Sequence, residues 1–124
     1  MMRPLLLATV AVGIAIANAA SAADLFTPTL LSPTASYRLL CMATNIGSKA
    51  KPVSVTLLNS DDGSVVVTNE CATVAPGATC FAASDYGALN GHCRFSAKTK
   101  ISASIWLQQA ASNGAIVTAL PASK

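Results

Sequence analysis

The sequence is poor in the residues that most chemistry needs. Its 124 residues include one histidine, one tryptophan and five acidic residues, and only 10% are charged. The sole histidine, His92, needs partners brought in by the fold before it can serve as a general base. Eight Lys and Arg give a net charge of +3. That balance is too weak to indicate nucleic acid as a partner. No two of the four cysteines stand at the two-residue gap of a zinc knuckle or a redox motif. A phosphate loop, a Rossmann turn, an RNA-binding motif, an internal repeat and a low-complexity block are all missing. These absences disfavour a large cofactor enzyme, a disordered tail and a polybasic membrane binder, and no cofactor or metal is expected.

What is present begins with an address. Met1-Met2-Arg3-Pro4 is a short cationic start, Leu5 to Ala17 is uncharged and rich in apolar residues, and Ala20-Ser21-Ala22 fits the small-x-small pattern of a signal peptidase site. Residues 1–22 are therefore expected to be a signal peptide cut after Ala22, with a cut after Ala23 as the neighbouring choice. Leu5 to Ala23 would just span a bilayer, at about 19 residues. Its alanine content and its run of small residues favour the cleaved leader over an anchor. No cysteine follows at once to carry a lipid, and no second apolar stretch approaches about 18 residues. The mature chain is expected to be periplasmic or secreted, without stable membrane insertion. In that oxidising setting Cys41, Cys71, Cys80 and Cys93 read as structural disulfides, and four cysteines allow three pairings.

Beyond the leader, period two dominates and no convincing helical period occurs. Residues 23–35, with Pro28 and Pro33, predict an extended lead-in or edge strand. Tyr37, Leu39, Cys41 and Ala43 share one strand face. Leu40 and Met42 make the other face apolar too, which marks a central strand. Val53, Val55 and Leu57 alternate with Ser54 and Thr56. After the polar turn Asn59-Ser60-Asp61-Asp62-Gly63, Val65 to Thr68 returns, and the two runs form a hairpin. Ala75-Pro76-Gly77 turns into a short strand from Thr79 to Ala83, and Asp85 to Gly91 reads as a loop. Cys93, Phe95 and Ala97 then precede Ile101, Ala103, Ile105 and Leu107. A three-residue loop at 98–100 predicts a hairpin that sets Ala97 against Ile101, Phe95 against Ala103 and Cys93 against Ile105. Ser112-Asn113-Gly114 leads into a last strand, Ala115 to Leu120. About seven short strands with regular turn signals predict an all-β fold, an immunoglobulin-like β-sandwich over residues 36–124.

The order of landmarks supports this. Cys41-x-x-x-Asn45-x-Gly47, a Val-rich hairpin, Cys71 followed by Ala75-Pro76-Gly77-x-x-Cys80, His92-Cys93-Arg94-Phe95 and a final Ala119-Leu120-Pro121-Ala122 follow in turn. The chain resembles small exported bacterial proteins of immunoglobulin-like or fibronectin-like shape with no assigned activity. The resemblance covers about residues 36–122. It implies a β-sandwich in a bacterial envelope or secreted setting and carries no catalytic residues. Immunoglobulin-type folds join their two sheets by a disulfide between strands placed like those of Cys41 and Cys93. Of the three pairings, this makes Cys41–Cys93 with Cys71–Cys80 the leading one, the second bridge stapling the Pro76-Gly77 loop. Unlike antibody domains, the chain has no Trp on the 53–58 strand and carries Gly91 two residues before Cys93.

Few constellations point to chemistry. His92 with Asp85 and with Ser84 or Ser96 could be assembled into a hydroxyl–imidazole–carboxylate set, but no nucleophile-elbow sequence accompanies them. Asn59, Asp61 and Glu70 have part of a calcium-loop spacing, which Gly63 and Ser64 break. Trp106 stands out. Its neighbours Ile105 and Leu107 face inward, so it faces outward, and the predicted hairpin sets His92 opposite it and Arg94 one diagonal step away. An outward aromatic beside a cation suits a contact surface, so Trp106, His92 and Arg94 are the candidate binding residues, for a protein or a glycan. Lys49, Lys51, Lys98 and Lys100 fall at turns and strand ends, where lysine blunts sheet edges. The expected function is that of an exported, non-enzymatic binding or structural module. The alternatives are an enzyme inhibitor presenting the 71–80 loop and an envelope subunit pairing through a sheet edge.

Overall fold

Alternation of apolar and polar residues runs through almost every segment, and the computed structural model, which describes residues 23–111 and 113–124, is accordingly built of strands. The leader assigned to residues 1–22 lies outside the described residues. In chain order the strands are β1 (Ala23–Phe26), β2 (Leu30–Ser32), β3 (Tyr37–Asn45), β4 (Lys51–Asn59), β5 (Val65–Val74), β6 (Thr79–Ala83), β7 (Leu89–Ala97), β8 (Ile101–Gln109) and β9 (Ile116–Pro121). One sheet has the order β1-β7-β4-β5, with β2 also on β7, and the other has the order β6-β3-β8-β9. Every pairing is antiparallel. The two sheets pack face to face as an immunoglobulin-like β-sandwich.

Inward positions from both sheets form one core. Leu39, Cys41 and Ala43 on β3, Val55 and Leu57 on β4, Cys93 and Phe95 on β7, and Ile105 on β8 have no exposed surface. Such burial stabilises by about 25 cal/mol per Å² of apolar area removed from water. Gly91 contributes by its smallness. A Cβ there would stand 2.9 Å from Leu39 Cδ1 and 3.2 Å from the Leu58 carbonyl oxygen.

Both disulfides cross between the sheets. Cys41–Cys93 joins β3 to β7 through the middle of the core, and Cys71–Cys80 joins the edge strands β5 and β6. The second bridge therefore spans a crossing from sheet to sheet as well as the turn within it. At the opposite edge the backbone closes the sandwich: Phe26 N–H donates to the Ser123 carbonyl at 2.8 Å, and Ser123 N–H donates back at 2.9 Å. All four cysteines are paired, and two disulfides point to an oxidising environment outside the cytoplasm. Unreduced protein unfolded in denaturant is expected to give no reaction with a thiol reagent, and to give its full cysteine content after reduction. Thiols titrating before reduction would contradict the bridges.

The hairpin of 53–57 with 65–68 forms as predicted, as β4 with β5, and β5 continues through Cys71. Its turn is held by Asp62, whose Oδ1 accepts from Ser64 N at 2.9 Å and from Ser64 Oγ at 2.7 Å. These bonds hold the Asp62 carboxyl below the usual carboxylate range. Gly63 takes the left-handed conformation, φ 76°, that the turn requires.

Nine strands stand where about seven were expected, because the lead-in supplies two. Both pair with β7, and the break between them has a local cause. Pro28 cannot donate to a ladder, and the neighbouring Thr27 fills in with its side chain, its Oγ1 accepting from Cys93 N at 2.9 Å.

The hairpin expected over residues 93–108 does not form. β7 pairs with β1, β2 and β4, while β8 pairs with β3 and β9, so residues 98–100 carry the chain from one sheet to the other. Cys93, Phe95 and Ala97 face Ala103, Ile105 and Leu107 across the core rather than lying beside them. The edge of β7 that β8 would have used belongs to β1 and β2. The predicted loop of 85–91 is also shorter, because β7 begins at Leu89.

Candidate functional site

The two outer faces of the sandwich differ sharply in chemistry. On the five-stranded sheet, Asp24, Ser96, Ser54 and Glu70 form one outward row, and Phe26, Arg94, Thr56 and Thr68 form the next. Seven of these eight positions are polar, as is normal for the solvent side of an antiparallel sheet, and the exception, Phe26, is 44% exposed at the β1 edge. On the four-stranded sheet, one outward row reads Phe81, Met42, Ser104, Pro121 and the next Ala83, Leu40, Trp106, Ala119. Seven of these eight positions are apolar.

Trp106 sits in the middle of this panel. Residues 103, 105 and 107 beside it are buried, which turns the indole outward as the alternation predicts, and it is half-buried there. Its Nε1 donates to Ser104 Oγ at 2.6 Å, satisfying the one polar atom of the ring. Directly across the ladder, Leu40 is only 7% exposed although it points away from the core. Its neighbours on the panel cover it, so this face holds a small apolar layer of its own. Phe81, at the β6 edge, is 51% exposed. The panel ends in polar groups one row beyond Trp106. There Arg38 Nε donates to Gln108 Oε1 at 2.7 Å, and the guanidinium lies 4.9 Å from the centre of the exposed Tyr86 ring. Arg38 is thus the cation diagonal to Trp106, the role expected of Arg94.

His92 and Arg94 do not join Trp106. They point outward from β7 on the other sheet, on the opposite side of the molecule, and the contact surface built from all three is corrected accordingly. The cause is the missing hairpin, because Trp106 faces Leu40 of β3 and not His92. Arg94 instead lies between Phe26 and Thr56. His92 Nδ1 is 2.7 Å from Ser60 Oγ, which in turn lies 3.1 Å from Thr29 Oγ1. The serines considered as partners of His92 are placed elsewhere. The buried Ser84 hydroxyl accepts from Leu39 N and donates to the Asp85 carbonyl, and Ser96 stands between Asp24 and Ser54. The 71–80 segment is mostly strand. Only 75–78 is loop, tied to Asn45 by Gly77 N–H to its carbonyl at 2.7 Å and by its own N–H to the Ala78 carbonyl at 3.0 Å. Residues 75–78 are exposed, and these two bonds hold the turn against the end of β3.

The residues missed by sequence reasoning are Arg38, Leu40, Met42 and Phe81. A signal for two of them was present: Leu40 and Met42 make both faces of β3 apolar. A central position in the sheet does not require that, because β3 is central by its ladders to β6 and β8 whatever faces outward.

No protein-family model matches the chain, and no curated protein matches it. Among solved structures it is similar to the crystal structure of Thermotoga maritima 1070. The TM-score is 0.56, over 82% of this chain and 93% of that one, at 15% sequence identity. At that identity the likeness is one of fold alone.

Proposed function

We propose that the protein is an exported, non-enzymatic β-sandwich module that binds a partner protein through the outer face of its four-stranded sheet, centred on Trp106. The observation that carries this is the contrast between the two outer faces. The two central rows of one are Ser, Thr and charged side chains apart from Phe26 at the β1 edge, and the other presents two contiguous rows of apolar side chains ending at Arg38 and Tyr86. Contiguous apolar surface of this kind marks interaction sites, and aromatic residues with arginine are the side chains most enriched at their centres. The width of the panel favours a protein over a single sugar ring. The leader pattern and the two disulfides support a periplasmic or secreted location in a bacterium, in the company of the small exported sandwich proteins that the sequence resembles.

The test is capture from an envelope extract on immobilised protein. A partner held by the native chain is expected to bind Trp106→Ala at least about 30-fold more weakly, the effect of losing a residue at the centre of an interface. Arg94→Ala, on the opposite sheet, should bind normally. Binding that survives Trp106→Ala and fails with Arg94→Ala would overturn the assignment. One observation favours a second reading, that of a structural subunit pairing through a sheet edge. β9 is a terminal edge strand on which Ile116 and Val117 are 41% and 52% exposed. Val117→Lys would block such pairing and leave the Trp106 face intact.

A further inference from the structure

The sequence disperses its lysines, and the fold collects them. The registers place the 46–50, 75–78 and 98–100 connections and the C-terminus at one end of the sandwich, and the 60–64 and 84–88 connections at the other. All five lysines of the chain, Lys49, Lys51, Lys98, Lys100 and Lys124, belong to the first end. Asp61, Asp62 and Asp85 belong to the second. Asp24 and Glu70 lie on the five-stranded sheet one row in from the lysine end, in register with Ser96 and Ser54, and Glu70 shares a groove with Lys98. The lysines are therefore gathered at one end of the molecule, with Arg38 the cation nearest the other, although the sequence holds no basic run.

The lysine end is also a built surface. Ile46 N–H donates to the Lys100 carbonyl at 3.0 Å, and Lys51 Nζ donates to the Thr99 carbonyl, which ties the 46–50 and 98–100 connections into one rim. Lys49, Lys51, Lys98 and Lys100 line a groove of about 320 Å³ between them. Within this basic rim stands Ile46, 63% exposed and the most exposed of the large hydrophobic side chains described.

We infer that this end docks on the surface of a bilayer containing anionic phospholipid, the lysines meeting headgroup phosphates and Ile46 seating among the headgroups. The charge selects an anionic surface. The isoleucine selects a bilayer, because a soluble polyanion gives an exposed aliphatic side chain nothing to bury against, whereas an interface takes both. The contact is peripheral and no strand enters the membrane. The apolar panel around Trp106 lies on a flank of the sandwich, so it stays open while the end is docked.

The experiment is co-sedimentation of the purified, disulfide-intact protein with phosphatidylcholine vesicles and with mixed phosphatidylcholine–phosphatidylglycerol vesicles. Binding is expected only to the mixed vesicles, and it should weaken as salt rises. Each lysine near an anionic surface is worth about five-fold in partition, so Lys49→Glu with Lys98→Glu should weaken binding about 25-fold or more. Both side chains are exposed, and thermal melting of this variant and of the milder Lys49→Gln/Lys98→Gln pair checks that the fold survives. Ile46→Ser should weaken binding several-fold, and Trp106→Ala should leave it unchanged, which separates this surface from the partner-binding face. Equal sedimentation with both vesicle types, or undiminished binding by the charge-reversed pair, would overturn the inference. So would displacement by inorganic polyphosphate combined with indifference to Ile46→Ser, which would make the end a site for soluble polyanions.

Discussion

Replacing Cys41 and Cys93 together by alanine is expected to lower the free energy of unfolding by about 4 kcal/mol or more, and replacing Cys71 and Cys80 together by about 2.5 kcal/mol. Both bridges join the same two sheets, so the difference cannot come from what they connect. It comes from the chain each one closes and from where each one lies. The first spans a sequence separation of 52 and the second one of 9, and the denatured-state entropy that a cross-link removes grows with the logarithm of that loop. Burial adds to the gap. Cys41 and Cys93 have no exposed surface, so alanine leaves a void at both positions between the sheets, whereas in the edge pair only Cys80 is buried and Cys71 is half-buried. Against a net stability of about 5–15 kcal/mol, losing the central bridge leaves a domain near the limit of folding, with a melting temperature roughly 15 °C or more below the native one. Guanidinium titrations of the two double variants check this. Equal losses, or a larger loss from the edge pair, would mean that neither loop length nor burial governs the contribution.

Alternation along a strand states which side of the ribbon is buried but not which sheet the ribbon joins. This is why β3, β6 and the β4–β5 hairpin were legible while the pairing of β7 and β8 was not. A three-residue connection at 98–100 is compatible with a tight hairpin, where both apolar sets point the same way, and with an arch, where they point at each other across the core. Either arrangement buries Phe95 and Ile105. What decides is competition for the free edge of β7. The lead-in supplies Leu25 opposite Phe95 and Leu30 opposite Gly91, and β8 finds in β3 a nine-residue partner matched to it from Tyr37–Gln109 to Asn45–Ile101. Sequence showed that the lead-in was extended, but not that it would occupy this edge.

The candidate site divides along the same line. That Trp106 faces outward follows from Ile105 and Leu107 alone, a local inference, and it holds. Its neighbours depend on which strand lies alongside, a non-local fact, so the surroundings change from His92 and Arg94 to Leu40, Phe81 and Arg38. The lysine end shows the same limit on a larger scale, since Lys49 and Lys100 are remote in sequence and share a rim only because β3 and β8 pair in full register.

Asn45→Ala is expected to cost about 3 kcal/mol, an effect usually reserved for large core side chains. Asn45 is fully buried at the end of β3. Its Nδ2 donates to the Lys49 carbonyl at 2.8 Å and to the Val74 carbonyl at 2.9 Å, and its Oδ1 accepts from Gly47 N at 2.8 Å. One side chain thus fastens the 46–50 connection to itself and to the end of β5, where strands stop and backbone groups lose their ladder partners. Truncation strands two carbonyls and one amide, each costing about 1–3 kcal/mol if left buried without a partner, partly offset where water enters. The spacing Asn45-x-Gly47 among the landmarks of the sequence has this physical basis. Asn45→Asp separates hydrogen bonding from size. It preserves the acceptor for Gly47 but turns a carboxyl toward two carbonyl oxygens in a buried site, which raises its folded pKa above the unfolded value of about 3.9. Below that value both states are protonated, and a neutral carboxyl can still donate one of the two lost bonds. As pH rises above it, only the unfolded chain releases its proton, so the variant loses stability with rising pH while the native protein shows no matching loss. Thermal melts of the native, Asn45→Ala and Asn45→Asp proteins from acid to neutral pH measure this. A flat pH profile for Asn45→Asp would show that position 45 is open to water and that the buried bonds do not hold the end of the sandwich together.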